Sequence, residues 1–198
     1  MVIRKAAFHK SATNPEQFPG YPYPEFAFIG RSNAGKSSLI SMIFDGKVKV
    51  KTSSSPGQTQ TVNFFTINDA VSIADLPGYG FAKAPGHIKD ALSPMIRSYI
   101  GNRPNLRIAF LLIDARRDIS GDDSEFLDLL SEHGIPTAVV MTKSDKLSQS
   151  ELHLRRKYLS TELGIDMHDL YITSSAKKTG RRDILDLIDA NSARDGSV

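Results

Sequence analysis

Residues 30–38, GRSNAGKSS, set two glycines around four other residues and follow them at once with a lysine and two serines. That order suits a backbone that curls around an anion. Glycine lets the chain turn tightly enough for successive N–H groups to face one point. A helix beginning at Gly35 would add its positive end. The pattern Gly30-x-x-x-x-Gly35-Lys36-Ser37 is that of a phosphate-binding loop built from Gly30, Arg31, Ser32, Asn33, Ala34 and Gly35, with Ser38 behind it. In such a loop Lys36 reaches the β- and γ-phosphates and the Ser37 hydroxyl ligates magnesium. Arg31 is expected to be exposed.

Two further boxes narrow the ligand. In SIADLPGYG, residues 72–80, a carboxylate ends an apolar run. Asp75 is placed to hold magnesium through a water, and beyond Leu76 and Pro77 the N–H of Gly78 can meet a γ-phosphate. The box Thr142-Lys143-Ser144-Asp145 follows another apolar run. An aspartate there can accept from both the N1 and the exocyclic amino group of guanine, a donor pair that adenine lacks. Lys143 would lie along the base. Backbone groups of Ser174, Ser175 and Ala176, after the last apolar run, could reach the guanine carbonyl. Together the boxes point to GTP or GDP with Mg2+.

These boxes need a scaffold that presents loops at one edge. EFAFIG (25–30), LRIAFLLID (106–114) and PTAVVMT (136–142) are continuous apolar runs, as in strands covered on both faces, with LYITSS (170–175) a weaker one. TVNFFTI and VSIAD flank Asn68-Asp69-Ala70, which reads as a hairpin turn. Helical spacing follows Lys36, and segments 87–101, 122–133, 149–163 and 181–190 have helical length. Pro94 predicts a late start or a kink in the first of these. The fold class is therefore α/β: a mostly parallel six-stranded sheet with one antiparallel hairpin and helices on both faces. Ligands bind such sheets at the carboxyl ends of the strands. Residues 1–24 read as an extension packing on the domain, 25–190 as a single domain, and 191–198 as a disordered tail.

Composition excludes several classes. The 198 residues contain no cysteine, so neither a disulfide framework nor a thiolate metal site arises. No signal-peptide core and no apolar run long enough for a bilayer appears, which predicts a cytoplasmic protein without membrane contact. The net charge of +3 leans slightly toward polyanionic partners. His87, His133, His153 and His168 share no ligand spacing. HLRRKYL (153–159) is basic and reads as a solvated helix face, with RNA contact the lesser alternative.

The stretches GRSNAGKSSLI, SSPGQTQTVNFF, DLPGYGFA and TKSDKL span most of the chain. They resemble the EngB (YihA/YsxC) family of bacterial ribosome-assembly GTPases, within the Era/EngA/MnmE branch of Ras-like P-loop GTPases. The resemblance implies a Ras-like fold and slow GTP hydrolysis. It also implies a switch role in large ribosomal subunit assembly, needed for normal cell division and septation. It assigns a switch to Gly57, Gln58, Thr59, Gln60 and Thr61, with Thr59 on magnesium and the catalytic set Lys36, Thr59 and Gly78. Sequence alone does not choose Thr59 over Thr52 or Thr61. Tyr79 stands where Ras-type enzymes carry the glutamine that orients water. Asn33 implies, as in related GTPases, a potassium ion beside the phosphates. The implied partner is the large ribosomal subunit, its RNA and proteins, with no DNA and a monomeric chain. Alternatives are a division regulator acting on a protein partner and, more remotely, a P-loop kinase.

Overall fold

The computed structural model describes residues 1–20, 22–50, 61–79 and 86–193, the last with backbone alone for 86–93. The sheet has seven strands: β1 (Ala6–Ala12), β2 (Glu25–Gly30), β3 (Val62–Ile67), β4 (Val71–Asp75), β5 (Leu106–Asp114), β6 (Thr137–Thr142) and β7 (Leu170–Ile172), in the spatial order β1-β3-β4-β2-β5-β6-β7. Five α-helices connect or flank them: α1 (Lys36–Phe44), α2 (Gly86–Gly101), α3 (Gly121–Glu132), α4 (Gln149–Leu163) and α5 (Arg181–Ala190).

The six expected strands are joined by one more, correcting the count. β1 pairs antiparallel with β3, which is itself antiparallel to β4, and the remaining pairs are parallel. β1 carries no continuous apolar run because it is an edge strand, half exposed and irregular between Phe8 and Lys10. Ile67 pairs with Val71, so the β3–β4 connection is the three residues Asn68, Asp69 and Ala70; Asn68 and Asp69 are both left-handed (φ 53° and 50°), and the Ala70 N–H closes the turn on the Ile67 carbonyl at 3.0 Å.

α2 begins at Gly86 and runs through Pro94, so the expected late start does not occur. Ser120 with Asp123 and Ser148 with Glu151 form reciprocal capping boxes that start α3 and α4. α4 stops at Gly164 in the left-handed conformation.

Alternation along the strands divides the core. Ala27 and Ile29 of β2 face a cluster with Phe64, Tyr99, Leu130 and Leu159, under α2, α3 and α4. Phe26 and Phe28 face the opposite cluster with Leu39, Phe44, Phe110 and Ile184, under α1 and α5. Phe28 stacks on Phe110 at 4.7 Å. Burying a phenylalanine or leucine of this kind contributes about 1.5–3 kcal/mol. Because β2, β4, β5, β6 and β7 run parallel, the loops leaving their carboxyl ends gather at one edge.

At the other edge Glu25, wholly buried, accepts from Ser72 Oγ (2.8 Å), Tyr99 Oη (2.7 Å) and Arg103 Nε (2.8 Å) and Nη2 (2.7 Å). Arg103 also donates to the Pro19 carbonyl at 2.9 Å. The ion pair thus ties residues 18–20, β2, β4 and the end of α2 together.

Candidate phosphate and base site

The turn after β2 is shaped by left-handed backbone at Asn33 (φ 65°) and at Gly35 (φ 93°), the N-cap of α1. A side chain at Gly35 would be strained there, which explains a glycine immediately before the helix. The segment after β4 lies against this turn. Leu76 N–H donates to the Phe28 carbonyl (3.0 Å) and Ser32 N–H to the Tyr79 carbonyl (2.8 Å). A Cβ on Gly78 would come within 3.1–3.2 Å of Ser32, so this close approach also needs glycine. Leu76 and Pro77 are buried beneath it.

At the foot of the turn the Lys36 ammonium is paired with the buried Asp75 carboxylate. Ser37 is half-buried in the first helical turn and Ser38 is exposed. Arg31 is half-buried rather than exposed, and its Nε is buried without a hydrogen-bond partner. It is withdrawn toward the turn after β5 and the start of α3, sharing a small cavity with Asp118 and Asp123.

The box after β6 is fastened to this turn. Thr142 Oγ1 donates to the Ala34 carbonyl at 2.5 Å and lies 3.3 Å from that of Ile113. Lys143, itself left-handed (φ 57°), donates its ammonium to the Asn33 carbonyl at 2.6 Å. Asp145 Oδ1 accepts from Ser174 Oγ at 2.6 Å, and Lys146 lies 3.4 Å from Oδ2. The Ser174 bond and the nearby Lys146 hold this carboxyl below the usual carboxylate range, so it is ionised and acceptor-only. Ser144 N–H donates to the Thr173 carbonyl at 3.2 Å, joining the two base-facing loops. Ser174 is buried, Ser175 half-buried and Ala176 exposed.

Two participants were not anticipated. Asp114 ends β5 as Asp75 ends β4; it pairs with Lys143 at 3.0 Å and with Arg116 at 2.7 Å. Burial alone would raise its carboxyl, but hydrogen bonds from Arg116 and Lys143 outweigh that and hold it well below the ordinary range. The signal was a carboxylate closing an apolar strand at the correct edge. The other is Asp123, which accepts from Tyr79 Oη at 2.5 Å while Tyr79 stacks on Phe126 at 4.3 Å. The Tyr79 side chain is therefore engaged by α3, while its backbone carbonyl stays bonded to Ser32 of the turn after β2.

Thr61 Oγ1 donates to Asn63 Oδ1 at 3.3 Å, at the start of β3. Gly57, Gln58, Thr59 and Gln60 lie outside the described residues. Among the described residues no group of three or more His, Cys, Asp or Glu side chains is placed to hold a metal ion.

The strand-turn-helix cradle, a lysine–carboxylate pair at its foot and a second carboxylate, Asp145, in the box fastened to it by Thr142 and Lys143 define a P-loop GTPase. A family model described as a 50S ribosome-binding GTPase matches residues 25–143. The chain is 45% identical to the "Probable GTP-binding protein EngB" of Porphyromonas gingivalis, covering 96% of each. It is 43% identical to that of Pelobacter propionicus, over 91% of this chain and 90% of the relative. A crystal structure of a probable GTP-binding protein EngB superposes with a TM-score of 0.69 at 25% identity, covering 84% of this chain and 97% of that one. Era, solved with MgGDPNP and a piece of 16S ribosomal RNA, shares the fold at a TM-score of 0.65 and 16% identity, over 89% of this chain and 59% of Era. The chain belongs to the EngB family of GTPases.

Proposed function

We propose that the protein binds GTP and GDP with Mg2+, hydrolyses GTP slowly, and acts as a nucleotide-controlled switch in large ribosomal subunit assembly on which cell division and septation depend. It does so as a cytoplasmic monomer; among the described residues no helix is long and apolar enough to cross a membrane. The observation that carries the reading is the pair of bonds from Thr142 and Lys143 to the Ala34 and Asn33 carbonyls, which hold phosphate cradle and base box in one rigid relation.

The residues fit a guanine nucleotide. Magnesium, when bound, supplies positive charge between the β- and γ-phosphates, and Ser37, Thr59 and (through water) Asp75 would hold it. Lys36 exchanges Asp75 for phosphate oxygens when nucleotide enters, which frees that carboxylate. N–H groups of Gly30 to Ser38 hold the phosphates, and Gly78 N–H and Thr59 sense the γ-phosphate. Asp145, oriented by Ser174, accepts from guanine, and Ser175 and Ala176 close the pocket around it. Thr61 and residues 57–60 form the switch loop.

Turnover is slow because the Tyr79 side chain is spent on Asp123 and cannot orient water; the unassisted rate of such enzymes is about 10⁻⁴ to 10⁻³ per second. The Asn33 side chain is exposed and makes no hydrogen bond among the described residues, which supports its lending an oxygen to potassium beside the phosphates. Hydrolysis is then faster in potassium than in sodium at equal ionic strength; equal rates refute that role.

Asp145→Asn tests the base reading. GTP affinity should fall by about a hundredfold or more while xanthosine triphosphate gains. Unchanged GTP affinity would place the base elsewhere and favour a kinase. Co-sedimentation with large subunits in GTP but not GDP supports the switch, and its absence in both favours a regulator of a protein partner.

A further inference from the structure

β5 lies between the strand that carries the phosphate cradle and the strand that carries the base box. Its register with β2 sets Leu112 beside Gly30, and its register with β6 sets Asp114 beside Thr142. The carboxylate that ends β5 therefore stands in the seam between the turn holding Asn33 and the box holding Lys143. There the Lys143 ammonium is shared: it donates to the Asn33 carbonyl at 2.6 Å and lies 3.0 Å from Asp114 Oδ2. The lysine stem crosses Gly35, where a Cβ would lie 3.6 Å from Lys143 Cε. The Lys143 backbone is left-handed (φ 57°), a conformation that a lysine keeps only where its surroundings hold it.

Two carboxylates close the strands on either side of β2, and their partners set them apart. Among the described residues Lys36 is the sole side-chain partner of Asp75, a pair that phosphate can open. Asp114 is held from more than one direction. Its Oδ1 accepts from the Arg116 N–H (3.1 Å) and Nε (2.9 Å), and its Oδ2 from Arg116 Nη2 (2.7 Å). A guanidinium fork of this kind fixes the plane of a carboxylate. Oδ2 then faces Lys143 as well, and the group is too deeply buried to trade these donors for water. Asp114 above all, with a smaller contribution from Asp145, holds the Arg116 guanidinium above its usual range, which sets this brace on the base side of the cradle.

We propose that Asp114, its carboxylate fixed by Arg116, is a positioning residue for nucleotide retention: it holds the Lys143 ammonium on the Asn33 carbonyl and so keeps the lysine stem along the base. The proposal rests on the guanine reading above and adds to it a residue that touches no nucleotide. A half-buried lysine with one acceptor keeps a single geometry only part of the time, because its long stem rotates freely. A second acceptor in a fixed plane removes that freedom before the base arrives, so binding has less ordering left to impose.

The test is a double-mutant cycle of Asp114→Asn and Lys143→Met, read as release of methylanthraniloyl-GDP from the magnesium-loaded full chain well below each variant's Tm. Asparagine keeps the shape of Asp114, and methionine keeps an apolar stem without the ammonium. Asp114→Asn should release the nucleotide about tenfold faster, with the association rate within about threefold of wild type. In the Lys143→Met background the same change should add less than about twofold, because the group it positions is gone. Wild-type release in either single variant refutes the proposal. Effects that multiply in the double variant refute it too, since Asp114 then only closes the turn after β5. Asp114→Glu, which keeps the charge and its pair with Arg116, passes through the same cycle should the asparagine variant not fold. Its effect on release must likewise vanish with Lys143→Met; no effect, or one that persists, refutes the proposal. Wild-type protein that fails to hold the fluorescent GDP removes the guanine reading and this role together.

Discussion

Replacing Tyr79 by phenylalanine separates two roles that its position could have. The phenol is 7% exposed, donates to Asp123 at 2.5 Å and stacks on Phe126. Phenylalanine keeps the ring and its stacking and removes only the bond to the Asp123 carboxylate, worth about 1.5–3 kcal/mol for a hydrogen bond of this class. Asp123 keeps its other oxygen on Ser120 N–H (2.8 Å) and Oγ (2.6 Å), so the α3 cap survives and the loss should stay within that range. For a chain of this size each kcal/mol moves Tm by about 2–4 °C, giving a fall of roughly 3–12 °C in Tyr79→Phe. Single-turnover GTP hydrolysis should stay within about threefold, because a phenol bonded to Asp123 contributes nothing at the phosphates. A pH signature accompanies the buried phenol and is absent from the phenylalanine variant. Burial, and then the negative charge of Asp123, push the Tyr79 phenol above its ordinary value of 10.0. A raised folded-state value means that the unfolded chain loses this proton first. The stabilisation is therefore complete below about pH 10 and declines as pH rises above it. Denaturation midpoints of wild type and Tyr79→Phe should converge between about pH 9 and about pH 11. An unchanged Tm with hydrolysis reduced tenfold or more would mean that the phenol acts at the phosphates, and the account of slow turnover would fail.

Glu25→Gln keeps the shape of the buried side chain but leaves Arg103, 8% exposed, without its counter-charge. Breaking such a pair costs about 3–5 kcal/mol. Calorimetry should show the lower Tm, while nucleotide affinity of the folded protein stays unchanged because Glu25 opens β2 and the cradle follows its far end; a matching loss of affinity would contradict this. Asp114→Asn should remove acid sensitivity. The folded-state carboxyl lies below its ordinary 3.8, so its stabilisation is present above that pH and is lost as pH falls through it. Urea midpoints from about pH 7 down to about pH 3 should therefore fall more steeply in wild type than in the variant, and parallel curves would show that Asp114 contributes no such term.

What the sequence reveals and what it conceals follow from how far apart the interacting residues lie. Lys36, Ser37, Asp75 and Asp145 were legible because each sits in a short stretch whose backbone its neighbours determine: a left-handed Gly35, a strand end, a turn after an apolar run. The strands buried on both faces were legible for the same reason, and β1 was not, since an edge strand pairs on one side and need carry no apolar run. In the sequence Thr142 reads only as the first residue of the base box; its bond to Ala34 spans 108 positions and exists only once β2 and β6 are in register with β5. Tyr79 could be seen to lack an amide, but its engagement with Asp123 could not. Charge shows the same divide most sharply. Residues 153–159 advertise a basic face, but the fold spends Arg155 on Ala115, Arg117 and Asp118 and Arg156 on Met167, and leaves Lys157 exposed. Local charge density in a sequence therefore counts cations before their partners are assigned.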